Sequence, residues 1–141
     1  TFERKLEDPS LPFPVLIKGN VDRIEECNGI IRIIDYKTGK VEKPNVTLKS
    51  WNGLSEDIKN DKIIQILAYA FMYENEASNK SMEAGIISFK NLKSGFLPFS
   101  FKEGKEVNTT IDSVVLNDYL EQMVLLLKDI LDETKDFEEK I

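Results

Sequence analysis

The chain has 141 residues, of which 41% are hydrophobic and 31% are charged, and these values are typical of one globular domain with a single core. It contains no histidine and one cysteine, Cys27, which excludes Ser-His-Asp and Cys-His catalysis, histidine-held metals, internal disulfides and cysteine-held zinc or iron–sulfur sites within these residues. The formal net charge of −6 argues against non-specific binding of nucleic acid, because phosphate contacts need a basic surface.

The first residues, Thr1 to Leu6, carry charges and lead into no apolar segment, so they do not form a signal peptide. No run of about 18 apolar residues follows, which argues against a membrane-spanning helix. We therefore expect a cytoplasmic protein that has no membrane partner. Because the sequence begins without methionine, we also expect it to be a fragment of a longer protein.

The first half of the sequence predicts strands. Thr1 to Glu7 is predicted as an edge strand, since the prolines that follow cannot lie in a central strand. Two further β-rich runs cover Phe13 to Glu25 and Ile30 to Tyr36, and Asn28-Gly29 between them is a strong hairpin signal. The two runs are therefore predicted to pair as antiparallel neighbours.

A loop and a helix follow. Gly39 to Ile58 is rich in Pro, Asn, Gly and Lys and is predicted as a loop that Trp51 packs down. Apolar residues then recur at helical spacing, which predicts a helix over Asp61 to Glu76 with Asn60 or Asp61 as its N-cap.

The last elements are two strands and a helix. Ala84 to Phe89 is apolar throughout and predicts a buried strand. Phe96 to Phe101 predicts a strand that Pro98 places at an edge. Val114 to Phe137 predicts a long amphipathic helix. This order indicates an α+β (mixed α/β) fold with a central mixed β-sheet and flanking helices.

Asp22, Asp35 and Lys37 form the pattern that carries chemistry. Asp22 and Asp35 lie at similar distances on either side of the Asn28-Gly29 turn, so antiparallel pairing brings them side by side. Lys37 lies on the same sheet face as Asp35, since the strand period is two residues. Opposed carboxylates repel unless a cation joins them, and Mg²⁺ prefers carboxylate oxygens. A lysine beside the metal can serve phosphodiester hydrolysis.

The same residues also have a simpler interpretation. Aspartate pairs with a nearby lysine are common on solvated faces, and Asp35 before Thr38-Gly39 can be a turn residue. Against that, Asp35 ends an otherwise apolar strand, where a charge is not favoured by β propensity. Spacing alone leaves both interpretations open.

The surrounding residues resemble the three successive motifs of RecB-like PD-(D/E)XK nucleases, G-x-x-D-R-I, D-Y-K-T-G and Q-x-x-x-Y. These motifs correspond here to Gly19-Asn20-Val21-Asp22-Arg23-Ile24, Ile34-Asp35-Tyr36-Lys37-Thr38-Gly39-Lys40 and Gln65-Ile66-Leu67-Ala68-Tyr69-Ala70. The resemblance implies one nuclease domain over residues 1–141, with a restriction-endonuclease-like core that lacks the family's first helix.

The resemblance also implies residue roles. Asp22 and Asp35, with the backbone carbonyl of Tyr36, would bind Mg²⁺ or Mn²⁺, and Lys37 would be the catalytic lysine. Gln65 and Tyr69, one helical turn apart, would lie beside the centre and position the lysine or DNA; without the motifs, they would as readily line the core boundary. Gly19 is expected to allow a close approach at the site, and Thr38-Gly39 to shape the turn. Arg23 is as readily structural as DNA-contacting.

The chain departs from the family in its ligands. RecB-like nucleases usually carry a further metal ligand, often histidine, on a helix before the first strand, and this chain has no histidine. Glu3 is the candidate substitute, although it fits a solvated strand residue equally well. Several relatives hold an iron–sulfur cluster, which Cys27 alone cannot do. The isolated fragment can therefore be inactive.

The resemblance implies an exonuclease of a DNA repair or recombination helicase–nuclease, with DNA as substrate and helicase domains or a helicase–nuclease subunit as partners. The alternative is a non-catalytic DNA-binding or scaffolding module, which the retained Asp22, Asp35 and Lys37 argue against. A sequence-specific restriction-type endonuclease ranks third. A local basic rim after the active strand offsets the acidic total; it comprises Lys37, Lys40, Lys43, Lys49, Lys59 and Lys62.

Overall fold

A computed structural model describes residues 2–77 and 80–131 of the chain. The strands are β1 (Phe2–Leu6), β2 (Val15–Gly19), β3 (Arg23–Cys27), β4 (Ile30–Lys37), β5 (Thr47–Leu48), β6 (Ser81–Ser88), β7 (Phe96–Pro98), β8 (Ser100–Glu103) and β9 (Glu106–Asn108). The helices are α1 (Asp61–Tyr73) and α2 (Ser113–Ile130). Neither helix is long and apolar enough to cross a bilayer.

The central sheet has the strand order β3-β4-β6-β7. The two inner strands, β4 and β6, run parallel and the outer two are antiparallel to them, while α1 lies in the connection between β4 and β6 as such a crossover requires. The predicted fold class, α+β with a central mixed sheet and flanking helices, is confirmed. The carboxyl end of β4 therefore leads into the connection that contains α1.

The hairpin at Asn28-Gly29 is confirmed, with both residues at positive φ, as a two-residue turn of this kind requires. The run predicted over Phe13 to Glu25 is wrong as a single strand. Only β3 pairs with β4, whereas β2 pairs with β1 in a separate two-stranded sheet. The chain leaves one sheet and enters the other at Asn20–Asp22, so Asp22 lies in a bend beside the strand end.

The β1–β2 sheet is attached to α1 by Arg4. Its guanidinium lies 4.2 Å from the centre of the Phe71 ring, and its Nη1 donates hydrogen bonds of 2.8 Å to the Phe71 carbonyl and to Glu74. A charged group that packs and donates in this way is well satisfied although half-buried. This attachment fixes β2, and hence the chain that leads into Asp22, against the helix.

The segment predicted as one strand from Phe96 to Phe101 is two strands. β7 is an edge of the central sheet, as Pro98 predicted, but β8 belongs to a second sheet of order β5-β8-β9. The change occurs at Phe99, which is fully buried and donates its backbone N–H to the Ala84 carbonyl at 2.7 Å. Gly85 makes this approach possible, because a Cβ there would overlap the backbone of Leu97.

The predicted helix over Asp61 to Glu76 is confirmed as α1 followed by a 3₁₀ turn over Glu74–Glu76. Asn60 occupies the cap position, but its side chain donates to the Leu54 carbonyl instead of capping the helix. The buried strand predicted from Ala84 begins earlier, at Ser81.

The predicted last helix, Val114 to Phe137, is α2 up to Ile130, and its final residues lie outside the described part of the chain. Asp112, which the sequence reasoning did not select, caps it by accepting from the N–H of Val115 at 2.9 Å. Tyr119 packs α2 on α1 and donates to the Ile64 carbonyl at 3.1 Å.

The segment predicted as a loop from Gly39 to Ile58 takes part in the core. Trp51 packs it down as expected, stacking on Phe101 with ring centres 5.6 Å apart. The segment also contains β5, and several of its apolar residues are fully or nearly fully buried: Val41, Val46, Leu48 and Leu54.

Candidate active site

Asp22 and Asp35 meet at the open end of the β3–β4 hairpin. Arg23 pairs with Ile34, so the next pair outward places Asp22 beside Asp35, as the hairpin argument predicted. Asp22 Oδ2 accepts a 2.8 Å hydrogen bond from the Tyr36 N–H. This hydrogen bond holds the otherwise exposed Asp22 carboxylate against the end of β4.

Asp35 is buried, with 5% of its surface exposed. Its Oδ2 lies 3.0 Å from Lys37 Nζ, but the angles are not those of a hydrogen bond, and among the described residues this oxygen has no hydrogen-bond partner. Burial raises the pKa of Asp35 above its ordinary value of 3.8; the neighbouring Asp22 also raises it, and Lys37 opposes the shift. The folded protein thus holds a buried carboxylate oxygen whose only cationic contact among the described residues is the Lys37 ammonium, and this oxygen accepts no hydrogen bond.

Lys37 is held from its other side by a chain of hydrogen bonds. Its Nζ donates to Gln65 Oε1 at 2.6 Å, and Gln65 Nε2 donates to Tyr69 Oη at 2.9 Å. Gln65 and Tyr69 lie at i and i+4 of α1, where side chains share a face. The structure thus brings together all five residues proposed as catalytic: Asp22, Asp35, Lys37, Gln65 and Tyr69.

Tyr69 lies at the end of this chain of hydrogen bonds. Its ring is buried against Gly19, where an added Cβ would lie 3.2 Å from Tyr69 Cε1. The expected close approach at Gly19 is therefore found, and its neighbour is the tyrosine ring. Burial, with a smaller contribution from the Asp35 carboxylate, raises the pKa of Tyr69. Tyr69 is consequently a neutral phenol that accepts from Gln65 at physiological pH.

Gly19→Ala is expected to lower the free energy of unfolding by about 1 kcal/mol, since the added methyl overpacks a filled space. The DNA cleavage that the motif resemblance implies should fall several-fold, because displaced Tyr69 no longer fixes Gln65. Thermal denaturation and a cleavage assay measure the two effects. Gly39→Ala is the control for stability, because a Cβ there meets open space. Equal stability of the two variants would contradict this account of Gly19.

Gln65→Leu is expected to reduce the rate of the DNA cleavage that the motif resemblance implies by about 10²-fold, because it releases Lys37 from its position. Gln65→Glu keeps an oxygen acceptor for Lys37 and should retain more activity than the leucine variant. Rates are measured at saturating DNA, and Mn²⁺-induced thermal stabilisation serves as the control, which neither change should alter. Equal loss in both variants would indicate that the residue acts only through packing.

The Tyr36 carbonyl points to the same side of β4 as its N–H, since both groups of a strand residue face one neighbour. That N–H contacts Asp22, so the carbonyl faces the open end beside the aspartates. The Tyr36 ring lies on the opposite sheet face and stacks on Phe89 with centres 5.6 Å apart. The Tyr36 hydroxyl near the Arg23 guanidinium, together with Glu25 at 3.2 Å, raises the pKa of Arg23.

Glu3 is exposed on β1 and pairs in register with Lys18. The inner face of that strand, which carries Arg4, is the one that packs on α1. Across residues 2–77 and 80–131, no three acidic, histidine or cysteine side chains lie together in a metal-binding arrangement. The structure therefore does not bring Glu3 to the pair formed by Asp22 and Asp35.

A cavity of about 290 Å³ adjoins the centre between the end of β4 and the start of α1. Its lining includes Lys37, Lys40, Lys62 and Gln65. The turn at Thr38-Gly39 forms part of its wall and is held by Ser88, which donates to the Gly39 carbonyl at 2.6 Å. The structure thus places three lysines of the predicted basic rim, together with Asp61, around one cavity, and of these Lys37 contacts Asp35.

These residues fit a divalent cation such as Mg²⁺ or Mn²⁺. Asp35 offers a buried oxygen that lacks a hydrogen bond, Asp22 lies beside it, and the Tyr36 carbonyl faces the same end of the strand. Hard cations prefer such oxygen donors, and Mg²⁺ uses one or two carboxylates while it keeps several waters. Two protein carboxylates and a carbonyl therefore suit a cation that also contacts a phosphate.

A family model of the PD-(D/E)XK nuclease superfamily matches residues 1–140 of the chain. The matched range includes every residue of the centre described above. Comparison with curated proteins and with solved structures gives no match.

Proposed function

Because the chain belongs to the PD-(D/E)XK nuclease superfamily, we propose that it is a metal-dependent deoxyribonuclease domain that hydrolyses DNA phosphodiester bonds. The observation that carries this proposal is the buried Asp35 oxygen without a hydrogen bond, beside a second aspartate and a lysine. A purely structural aspartate at the end of an apolar strand would be expected to satisfy both of its oxygens.

Each residue has a proposed task in the hydrolysis. Asp22, Asp35 and the Tyr36 carbonyl bind Mg²⁺ or Mn²⁺. The bound cation supplies positive charge at the phosphate and lowers the pKa of water. Lys37 lies next to Asp35 and is oriented by Gln65, so its ammonium can donate to a phosphate oxygen as negative charge develops there. Water attacks phosphorus and gives up a proton to the solvent, the P–O bond to the leaving oxygen breaks, and that oxygen takes up a proton from the solvent.

The RecB-like motifs support a finer proposal. We infer that the domain is an exonuclease of a helicase–nuclease that acts in DNA repair or recombination, with helicase domains or a partner subunit supplying the substrate strand. Gln65 and Tyr69 support this assignment, because the sequence pattern Q-x-x-x-Y is typical of the RecB-like branch. Here Gln65 accepts a hydrogen bond from Lys37 and donates one to Tyr69.

The test is cleavage of linear DNA by the protein that carries this chain, with Mg²⁺ or Mn²⁺, beside an Asp35→Ala variant. The wild type is expected to degrade DNA from its ends, and the variant and an EDTA-treated sample to leave it intact. Circular DNA of the same sequence separates exonuclease from endonuclease action. Equal cleavage by wild type and variant would overturn the site, and DNA binding without cleavage would favour a non-catalytic module.

A further inference from the structure

A second lysine-lined cavity, of about 460 Å³, lies on the β5-β8-β9 sheet. Lys43, Lys49 and Lys102 line it together with the hydroxyl residues Thr47 and Ser100. Lys43 and Lys49 belong to the basic rim predicted from the sequence, whereas Lys102 lies far along the chain and was not predicted. We refer to this cavity as the lysine pocket.

Strand alternation explains why positive charge gathers there. Thr47 pairs with Ser100 and Lys102 pairs with Val107, and paired residues of neighbouring strands point to one face. Residues 101 and 103 of β8 point to the other face, where Phe101 stacks on Trp51. The acidic residue Glu103, paired with Glu106, is thereby turned away from the lysines.

The pocket wall is fixed by hydrogen bonds. Ser100 is buried and its hydroxyl donates to Thr47 Oγ1 at 3.2 Å, while Thr47 Oγ1 donates to the Lys43 carbonyl at 2.8 Å. These contacts join β8 to β5 and to the turn that carries Lys43. The three lysine backbones are therefore held in one place although their ammonium groups are exposed.

Among the described residues, the lysines of the pocket are not paired with carboxylates. In the described part of the chain, six basic residues lie within 4.0 Å of a carboxylate, and Lys43, Lys49 and Lys102 are not among them. Three like charges around one cavity in a chain of net charge −6 repel one another unless an anion joins them. A phosphate group has the charge and the acceptors for that role.

We propose that the lysine pocket binds a backbone phosphate of the DNA strand whose other part occupies the active site; this inference rests on the proposed function. Lys40 lines the cavity at the active site and Lys43 lines the pocket. They are three positions apart in the sequence, so their Cα atoms are at most about 11 Å apart. The two cavities are therefore lined by lysines that lie close together on one segment of the chain.

The test measures binding of a fluorescent partial duplex, with a single-stranded extension, by anisotropy in EDTA and at several salt concentrations. A pocket variant and a control variant each lose three positive charges, and the control lysines are exposed on β1, on β2 and in the turn before β7. The pocket variant is K43Q/K49Q/K102Q, and the control variant is K5Q/K18Q/K93Q. Thermal denaturation confirms that both are folded.

The pocket variant is expected to bind DNA about 10-fold more weakly at low salt, and the slope of log affinity against log salt to fall by about 1. The control variant is expected to lose much less. Equal affinities of the two variants would overturn the proposal, and so would a wild type that does not bind DNA. A wild type that binds through the pocket without cleaving would contradict the nuclease proposal and support the pocket.

Inorganic phosphate and a deoxynucleoside monophosphate are tested separately by thermal shift. The pocket is expected to prefer DNA, so millimolar phosphate or nucleotide should compete only weakly with the duplex. If either compound stabilises the wild type but not the pocket variant, while DNA affinity is unchanged between them, the pocket takes small phosphates and the DNA assignment is wrong.

Discussion

Replacing Lys37 with methionine is expected to lower the rate of DNA cleavage by about 10³-fold while metal binding is retained. The ammonium lies 3.0 Å from Asp35 Oδ2 and 2.6 Å from Gln65 Oε1, so it is positioned at the carboxylate that is proposed to bind the metal. No other cationic group of the described residues is paired with that carboxylate. Methionine keeps the length of the side chain but cannot donate to a developing negative charge. The ammonium also competes with a cation for Asp35, so its removal should leave Mn²⁺ affinity equal or higher.

Single-turnover cleavage and Mn²⁺-dependent thermal shift measure these two effects in the same samples. Lys40→Met is the matched control, since Lys40 follows the same strand but is paired with Glu42 at 3.2 Å. We expect the control to keep the chemical rate within several-fold of wild type. A Lys37 variant that cleaves as fast as the control would remove the lysine from the chemistry.

Asp35→Asn is expected to stabilise the metal-free protein at pH 7, by on the order of 0.5–1 kcal/mol, because it removes one of two opposed carboxylates. The direction of this change in the free energy of unfolding follows from the raised pKa of Asp35. The folded state holds the proton of the Asp35 carboxyl more tightly than the unfolded state does. The free energy of unfolding of the wild type therefore falls as the pH rises above the ordinary pKa of 3.8 and through the folded pKa. The advantage of the asparagine variant should therefore be small below pH 3.8 and grow as the pH rises above that value.

The same variant is expected to lose the stabilisation that Mn²⁺ gives the wild type, and with it DNA cleavage. Denaturation curves at several pH values, with EDTA or with Mn²⁺, give all three results. Glu121→Gln, which neutralises an exposed carboxylate on α2, controls for the change in net charge and should alter none of them. An asparagine variant that is destabilised in EDTA at pH 7 would show that Asp35 is satisfied without a cation.

Part of the site was predictable because its geometry depends on residues that are close together in the sequence. The Asn28-Gly29 turn fixes the hairpin register, and that register places Asp22 beside Asp35. Helical spacing likewise places Gln65 and Tyr69 on one face. The hydrogen bond from Lys37 to Gln65, by contrast, joins segments that only the parallel pairing of β4 with β6 brings together, and the motif resemblance supplied that link.

The non-local part was not predictable from periodicity. The alternation of apolar and polar residues continues through Asn20–Asp22, so no local feature shows that β2 and β3 belong to different sheets. The same holds at Phe99, where an apolar run passes from one sheet to another. Lys102 lies at the lysine pocket because β5 pairs with β8. That pairing connects residues about 50 positions apart in the sequence, so no local pattern predicts it.

The passage through Phe99 has a consequence for how the domain opens. One fully buried residue separates β7 from β8, so neither sheet can detach without pulling that ring from the core and breaking its bond to Ala84. Native-state hydrogen exchange should therefore report a single cooperative unit, in which the amides of Phe99 and β8 exchange with the same opening free energy as those of β6. A domain assembled in this way keeps its carboxylate centre and its lysine pocket in one folding unit, and both are lost together when that unit unfolds.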